Sequence, residues 1–178
     1  MSDTAPPTAR TVAGTPAAFA AATLVPGLAI ALGAVLGGWW AVLALVLMTG
    51  AVAAIDRLAP QAAAGVPGAE FPAAPRLLEA LGWLHLALIP LTVWAVAGDS
   101  GHSAGARAAL LLAAGFYLGQ VGHAAAHELI HRGEARLFAL GAAVYTALLF
   151  GHHVSAHRHV HHRFVSTPDN PNTAAAGE

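Results

Sequence analysis

The sequence contains no cysteine and no lysine, and little charge of either sign. Without cysteine the chain can build no thiolate metal site, no iron–sulfur cluster and no disulfide framework. Charged residues make up 10% of the 178 residues, against ~25% in soluble proteins. A net charge of −1 carries no nucleic-acid signature. Apolar residues fill the space instead, at 57%. This is the composition of an integral membrane protein, and the expected fold is an all-α membrane helix bundle.

Residues 1–16 are polar and rich in Pro, Thr and Ala, and read as a flexible tail ahead of a domain spanning 17–178. A signal peptide fits poorly: Arg10 is the only basic residue, and the apolar run beyond is too long for its core. That run extends from Ala17 to Ile55, more than the ~20 residues one crossing needs. Gly37-Gly38-Trp39-Trp40 divides it into a hairpin, roughly Ala17–Leu36 and Trp39–Ile55, since paired glycines permit a turn and indoles suit the bilayer interface. Asp56–Pro75 reads as a loop. A third run covers Leu77–Val96, and a fourth covers Ala106–Ala126. The fifth, Leu137–Gly151, would make only ~22 Å of helix, which predicts a slanted or partly inserted segment. Four to five membrane helices are expected.

With the N-terminus inside, Arg10, Arg57, Arg76, Arg132 and Arg136 are cytoplasmic and only Arg107 is outside, as the positive-inside rule favours. A returning fifth helix would place Arg158 and Arg163 inside as well.

Nine of the eleven histidines lie in two stretches. The first is His123-Ala-Ala-Ala-His127-Glu128-Leu-Ile-His131-Arg132. The second is His152-His153-Val-Ser-Ala-His157-Arg158-His159-Val-His161-His162-Arg163. A spacing of four places His123, His127 and His131 on one helix face, and likewise His153, His157 and His161. Imidazole is the commonest transition-metal ligand, and imidazoles beside a bilayer are costly unless something satisfies them. Both clusters therefore predict a metal site at helix ends. His-Glu-Leu-Ile-His also matches the zinc-protease pattern, with Glu128 as general base. Five or more histidines point rather to two metals, and iron suits such a nitrogen-rich, redox-active set. His85 reads as a hydrogen-bonded core residue, His102 as a loop residue, and Trp83 and Trp94 as membrane packing.

His127-Glu-Leu-Ile-His131-Arg resembles the first histidine box of bacterial membrane alkane 1-monooxygenases. His157-Arg-His-Val-His161-His162 resembles their second box, and the following Arg163-Phe-Val-Ser-Thr-Pro-Asp-Asn-Pro-Asn-Thr is similar to the stretch after it. More broadly the chain resembles the membrane fatty acid desaturase and hydroxylase superfamily. Ala156 stands where the monooxygenases carry Glu. The resemblance implies two non-haem iron ions, O₂ as co-substrate, a rubredoxin-type electron donor with its reductase, and hydroxylation of the terminal methyl of a lipophilic substrate taken from the bilayer. It implies His127, His131, His157, His161 and His162 as iron ligands, with His123, Glu128, His153 and His159 as candidates for the surrounding layer. It also implies a bacterial inner-membrane location and a third histidine box downstream, so the expectation is that the domain is incomplete at its C-terminus. Desaturation, another lipid hydroxylation, intramembrane zinc proteolysis and non-catalytic metal binding by a truncated protein stand as alternatives.

Overall fold

Gly37 and Gly38 take positive φ, 64° and 54°, a region open to glycine and strained for other residues. They turn the first apolar run back on itself. The computed structural model describes residues 16–51, 53, 74–165 and 167, and every regular element among them is helical. Helix α1 is Pro16–Leu36 and continues through Pro26. Helix α2 is Gly38–Val46, extended by a π-helical turn over Leu47–Ala51. Helix α3 is Ala74–Ala97 and passes through Pro90. Helix α4 is Ala104–Ile130, with a π-helical turn at Leu118–Gly122. Helix α5 is Ala135–Ala147. Helix α6 consists of His152–Ala156, a π-helical turn His157–His161, and His162–Phe164. The expected tail, most of the expected Asp56–Pro75 loop and the stretch from residue 168 onward lie outside the described residues.

Among the described residues, three segments are long and apolar enough to cross a membrane: Phe19–Leu36, Pro75–Ala97 and Ala104–Ile130. The apolar helices Gly38–Gly50 and Ala135–Ala147 are shorter. The fourth helix runs past the expected Ala126 to Ile130, so the first histidine stretch is itself helical.

Alanine dominates the core. Ala29, Ala44 and Ala113 pack with Ile30, Leu88 and Tyr117; Ala34, Ala41, Ala95 and Ala106 pack with Leu110. Small side chains let helix backbones approach closely, the packing mode available where lipid removes the hydrophobic drive between helices. Large apolar residues point outward instead, among them Leu32, Trp39, Trp83, Trp94 and Phe116. An apolar surface this extensive suits lipid rather than water.

The hairpin ends are tied by polar side chains. His102 Nε2 donates to the Ala34 carbonyl at 2.8 Å, and its ring lies where a side chain on Gly37 would collide with it. Arg107 donates to the Val96 carbonyl at 2.7 Å and to the His102 carbonyl at 3.1 Å. His102 thus joins the α1–α2 turn to the α3–α4 loop, a role its loop position alone did not reveal. Arg136 on α5 makes a two-pronged contact with Glu79 near the start of α3, at 2.8 and 3.1 Å.

The π-turn in α4 resolves a conflict of register. Its first half buries Ala106, Leu110, Ala113 and Tyr117. Continued at α-helical period, that stripe would next bring Ala124 and Glu128 inward. A π-turn takes up an extra residue. Beyond it Gly122, Ala126 and Ile130 are buried, while Ala124 and Glu128 are exposed. The extra residue keeps a carboxylate out of the core and sets the direction in which His123, His127 and His131 face.

Candidate metal centre

The end of α4 and the whole of α6 carry the two histidine stretches, and α5 turns the chain between them. After α5 the chain reverses at Leu149, a non-glycine residue at φ 60°, and α6 returns beside α4. The two stretches meet at His157. Its Nε2 lies 2.8 Å from His127 Nε2, 3.1 Å from His131 Nε2 and 2.9 Å from His162 Nε2. The ligand atoms of His127, His131 and His157 all fall within 4.8 Å of one another.

Hydrogen bonding cannot account for this convergence. One imidazole nitrogen offers either a single N–H or a single lone pair, so His157 Nε2 cannot satisfy three neighbours at once. A cation can, because it accepts a lone pair from each. Metal–imidazole bonds are about 2.0–2.1 Å, which puts two ligands at a right angle ~3 Å apart, close to the separations found. The donor set therefore fits a nitrogen-preferring transition metal.

The electrostatics agree. Burial, reinforced by the charges of His127 and His162 and the other imidazoles around it, pushes the pKa of His157 down to about 4. Burial first, then His127 and His162, also lowers His131. Burial followed by His123 and His127 lowers His153. Neutral imidazole is the form that binds metal, and the direction of all three shifts favours it.

Around the four converging nitrogens lie the other candidates. His161 stacks on His157, centroids 5.2 Å apart and planes 22° from parallel. His153 stacks on the other side at 5.0 Å, and Phe150 stacks on His153 at 5.0 Å. Phe150, just ahead of α6, thus forms one column with His153, His157 and His161 on it. His123 meets Tyr145 edge-on at 5.2 Å and lies 5.6 Å from His153. Glu128 is exposed; its Oε1 lies 3.7 Å from His127 Nδ1, beyond hydrogen-bond range. His159 is exposed on α6, and His152 packs edge-on against Phe150. Tyr145 and Phe150 join the site as neighbours that the histidine pattern alone does not mark. The spacing of Phe150 to His153 was a visible signal; the fold-dependent position of Tyr145 was not.

The chain is 30% identical over 104 residues to alkane 1-monooxygenase 1 of Pseudomonas aeruginosa, a match covering 58% of this chain and 25% of that protein. The chain thus aligns with about a quarter of its relative's length. No family model matches the chain, and no solved structure matches it.

Proposed function

We propose that residues 17–178 form the histidine-bearing membrane domain of a non-haem di-iron monooxygenase. It takes electrons from a rubredoxin-type donor and its reductase and hydroxylates the terminal methyl of alkanes or similar lipophilic molecules. The observation that carries this reading is the convergence of His127, His131, His157 and His162 in a chain with three bilayer-length helices. The likeness to an alkane 1-monooxygenase supports the reaction class.

Bound iron supplies redox activation of O₂, which an inert C–H bond requires. The overall balance is R–CH₃ + O₂ + 2 e⁻ + 2 H⁺ → R–CH₂OH + H₂O. The chain's residues hold and shield. His127, His131, His157 and His162 present Nε2 lone pairs, and His161 joins further donors for the second iron. Glu128, behind His127, accepts a hydrogen bond from Nδ1–H as it closes the remaining gap and so fixes that ring's tautomer. Phe150 and Tyr145 keep water from the inner side of the site. Lipid-facing helices admit an oily substrate laterally. The bilayer is the bacterial inner membrane, with the metal centre toward the cytoplasm, where a soluble donor reaches it.

One observation favours a second reading. His127, His131 and His157 make a complete three-ligand zinc set around a His-Glu-x-x-His pattern. Against it, the Glu128 carboxylate lies on the Nδ1 side of His127, away from the Nε2 that faces the other imidazoles, so it is badly placed to act on a metal-bound water. Iron and zinc content of the protein purified from iron-supplemented cells separates the two. Iron held by the unaltered chain and lost in His127→Ala is expected, whereas 1-octanol formation from octane with donor, reductase and NADH requires the further donors for the second iron as well. One zinc and no iron would overturn the oxygenase reading, and an alkene product would make the chain a desaturase.

A further inference from the structure

Buried in α3, away from the metal cluster, sits a histidine with half its hydrogen-bonding capacity unused. His85 is fully buried. Its Nδ1 donates to the Leu81 carbonyl at 2.6 Å, which makes Nε2 the lone-pair nitrogen. That Nε2 is buried with no hydrogen-bond partner. An apolar ring would avoid this cost, so stability of the span alone does not explain an imidazole here.

Its neighbours do. The ring stacks on Tyr117, centroids 4.9 Å apart and planes 4° from parallel. It also abuts Gly122, where a Cβ would come within 2.5 Å of Nε2. Tyr117 directly precedes the π-turn of α4 and Gly122 is its last residue. One side chain thus grips both ends of the only π-turn described in α4, and the five-residue step between its two contacts matches the i→i+5 hydrogen-bond step of a π-turn. A six-membered ring would be larger against Gly122, and the Nδ1–H bond to Leu81 together with the stack on Tyr117 holds the smaller ring in that plane.

We infer that His85 is a positioning residue for the metal cluster: wedged between Tyr117 and Gly122, it fixes the π-turn that aims His127 and His131 at His157. Each α-helical residue turns the chain by ~100°. Loss of the extra residue's worth of turn would swing the first histidine stretch by about that angle away from α6. The inference rests on the metal-centre reading, not on any particular oxygenase reaction.

The test is a Co(II) titration of the purified full chain in detergent, followed by the visible bands of the bound ion and repeated with Fe(II). Gly122→Ala and His85→Ala should each weaken binding on the order of 10-fold, the low end of the effect of groups that orient ligands, and shift the Co(II) bands. In the double variant the new methyl takes up room left by the imidazole, so binding should be tighter than in either single variant. Gly33→Ala, tight against Leu110 and Ala41 in another part of the bundle, should leave affinity and bands unchanged. Unchanged bands in the single variants, additive losses in the double variant, or the same loss in Gly33→Ala would each overturn the positioning role. Absence of Co(II) and Fe(II) binding by the unaltered chain would remove the metal centre itself, and this role with it.

Discussion

His157 is the residue on which the site converges. Three other Nε2 atoms stand within 3.1 Å of its own, so truncating it removes the common neighbour of both histidine stretches. His157→Ala should lower Fe(II) or Zn(II) affinity by two orders of magnitude or more, in the upper part of the 10–100-fold range for supporting groups and beyond it. His159→Ala, on an exposed position, should change it less than about twofold. Isothermal titration in detergent measures both. The same residue sets a pH dependence. Its folded-state pKa is about 4, below the ~6.5 of an unfolded-chain histidine, so the unfolded state binds protons first. Stability of the metal-free protein should hold above about pH 6.5, fall as pH drops toward 4 and level off below. Thermal melts across that window should show a shallower slope in His157→Ala; an unchanged slope would exclude His157 as its source. The shared face of His127 and His131 on α4 was legible from their spacing. That His157 would be the meeting point was not, because it depends on how α6 folds back across 26 to 30 residues of chain.

At the scale of the element, the π-turn in α4 decides which residues face the bundle. Sequence periodicity located the apolar run but not the turn, because alanine and glycine fill both faces of this stretch and blur its period. The turn shows only in the mismatch between the buried stripe ending at Tyr117 and the exposed Glu128. Gly119 lies inside the turn, and a Cβ there would meet nothing within 4 Å. Deleting Gly119 should therefore keep the helix while converting the turn to α-helical period. The expected result is near-native helicity by circular dichroism with loss of metal binding. Retained binding would mean that α6 can follow the rotated imidazoles. The Gly37-Gly38 turn was legible as a paired-glycine break, since two successive positive-φ residues leave few alternatives. Gly37→Ala places a methyl against His102 at φ 64° and should cost on the order of 1–3 kcal/mol, seen as a lower melting temperature in detergent.

At the scale of the whole molecule, charge and chemistry share one end. The His102 and Arg107 ties gather the α1–α2 turn and the α3–α4 loop together. α4 carries its first histidine stretch to the other end, where Arg136 reaches Glu79 at the beginning of α3. Among the described residues, Arg76, Arg132, Arg136, Arg158 and Arg163 belong to that second end, and Arg107 to the first. The positive-inside rule counts arginines in short connections near membrane segments, and five against one supports the proposed orientation, with the histidines toward the cytoplasm. The chain has no native cysteine, so single cysteines report cleanly. Asp99 is exposed in the α3–α4 loop, and Ser155 is exposed on α6. In intact bacterial cells, a membrane-impermeant maleimide should label Asp99→Cys, whereas Ser155→Cys should react only after the inner membrane is opened. Labelling of both from the periplasm would place the metal centre on the wrong side for a cytoplasmic electron donor. The short α5 argues against that outcome, because its 13 residues span only ~20 Å. A segment of that length falls short of ~30 Å of hydrocarbon, which supports the proposed topology, with α6 back on the side from which α5 entered.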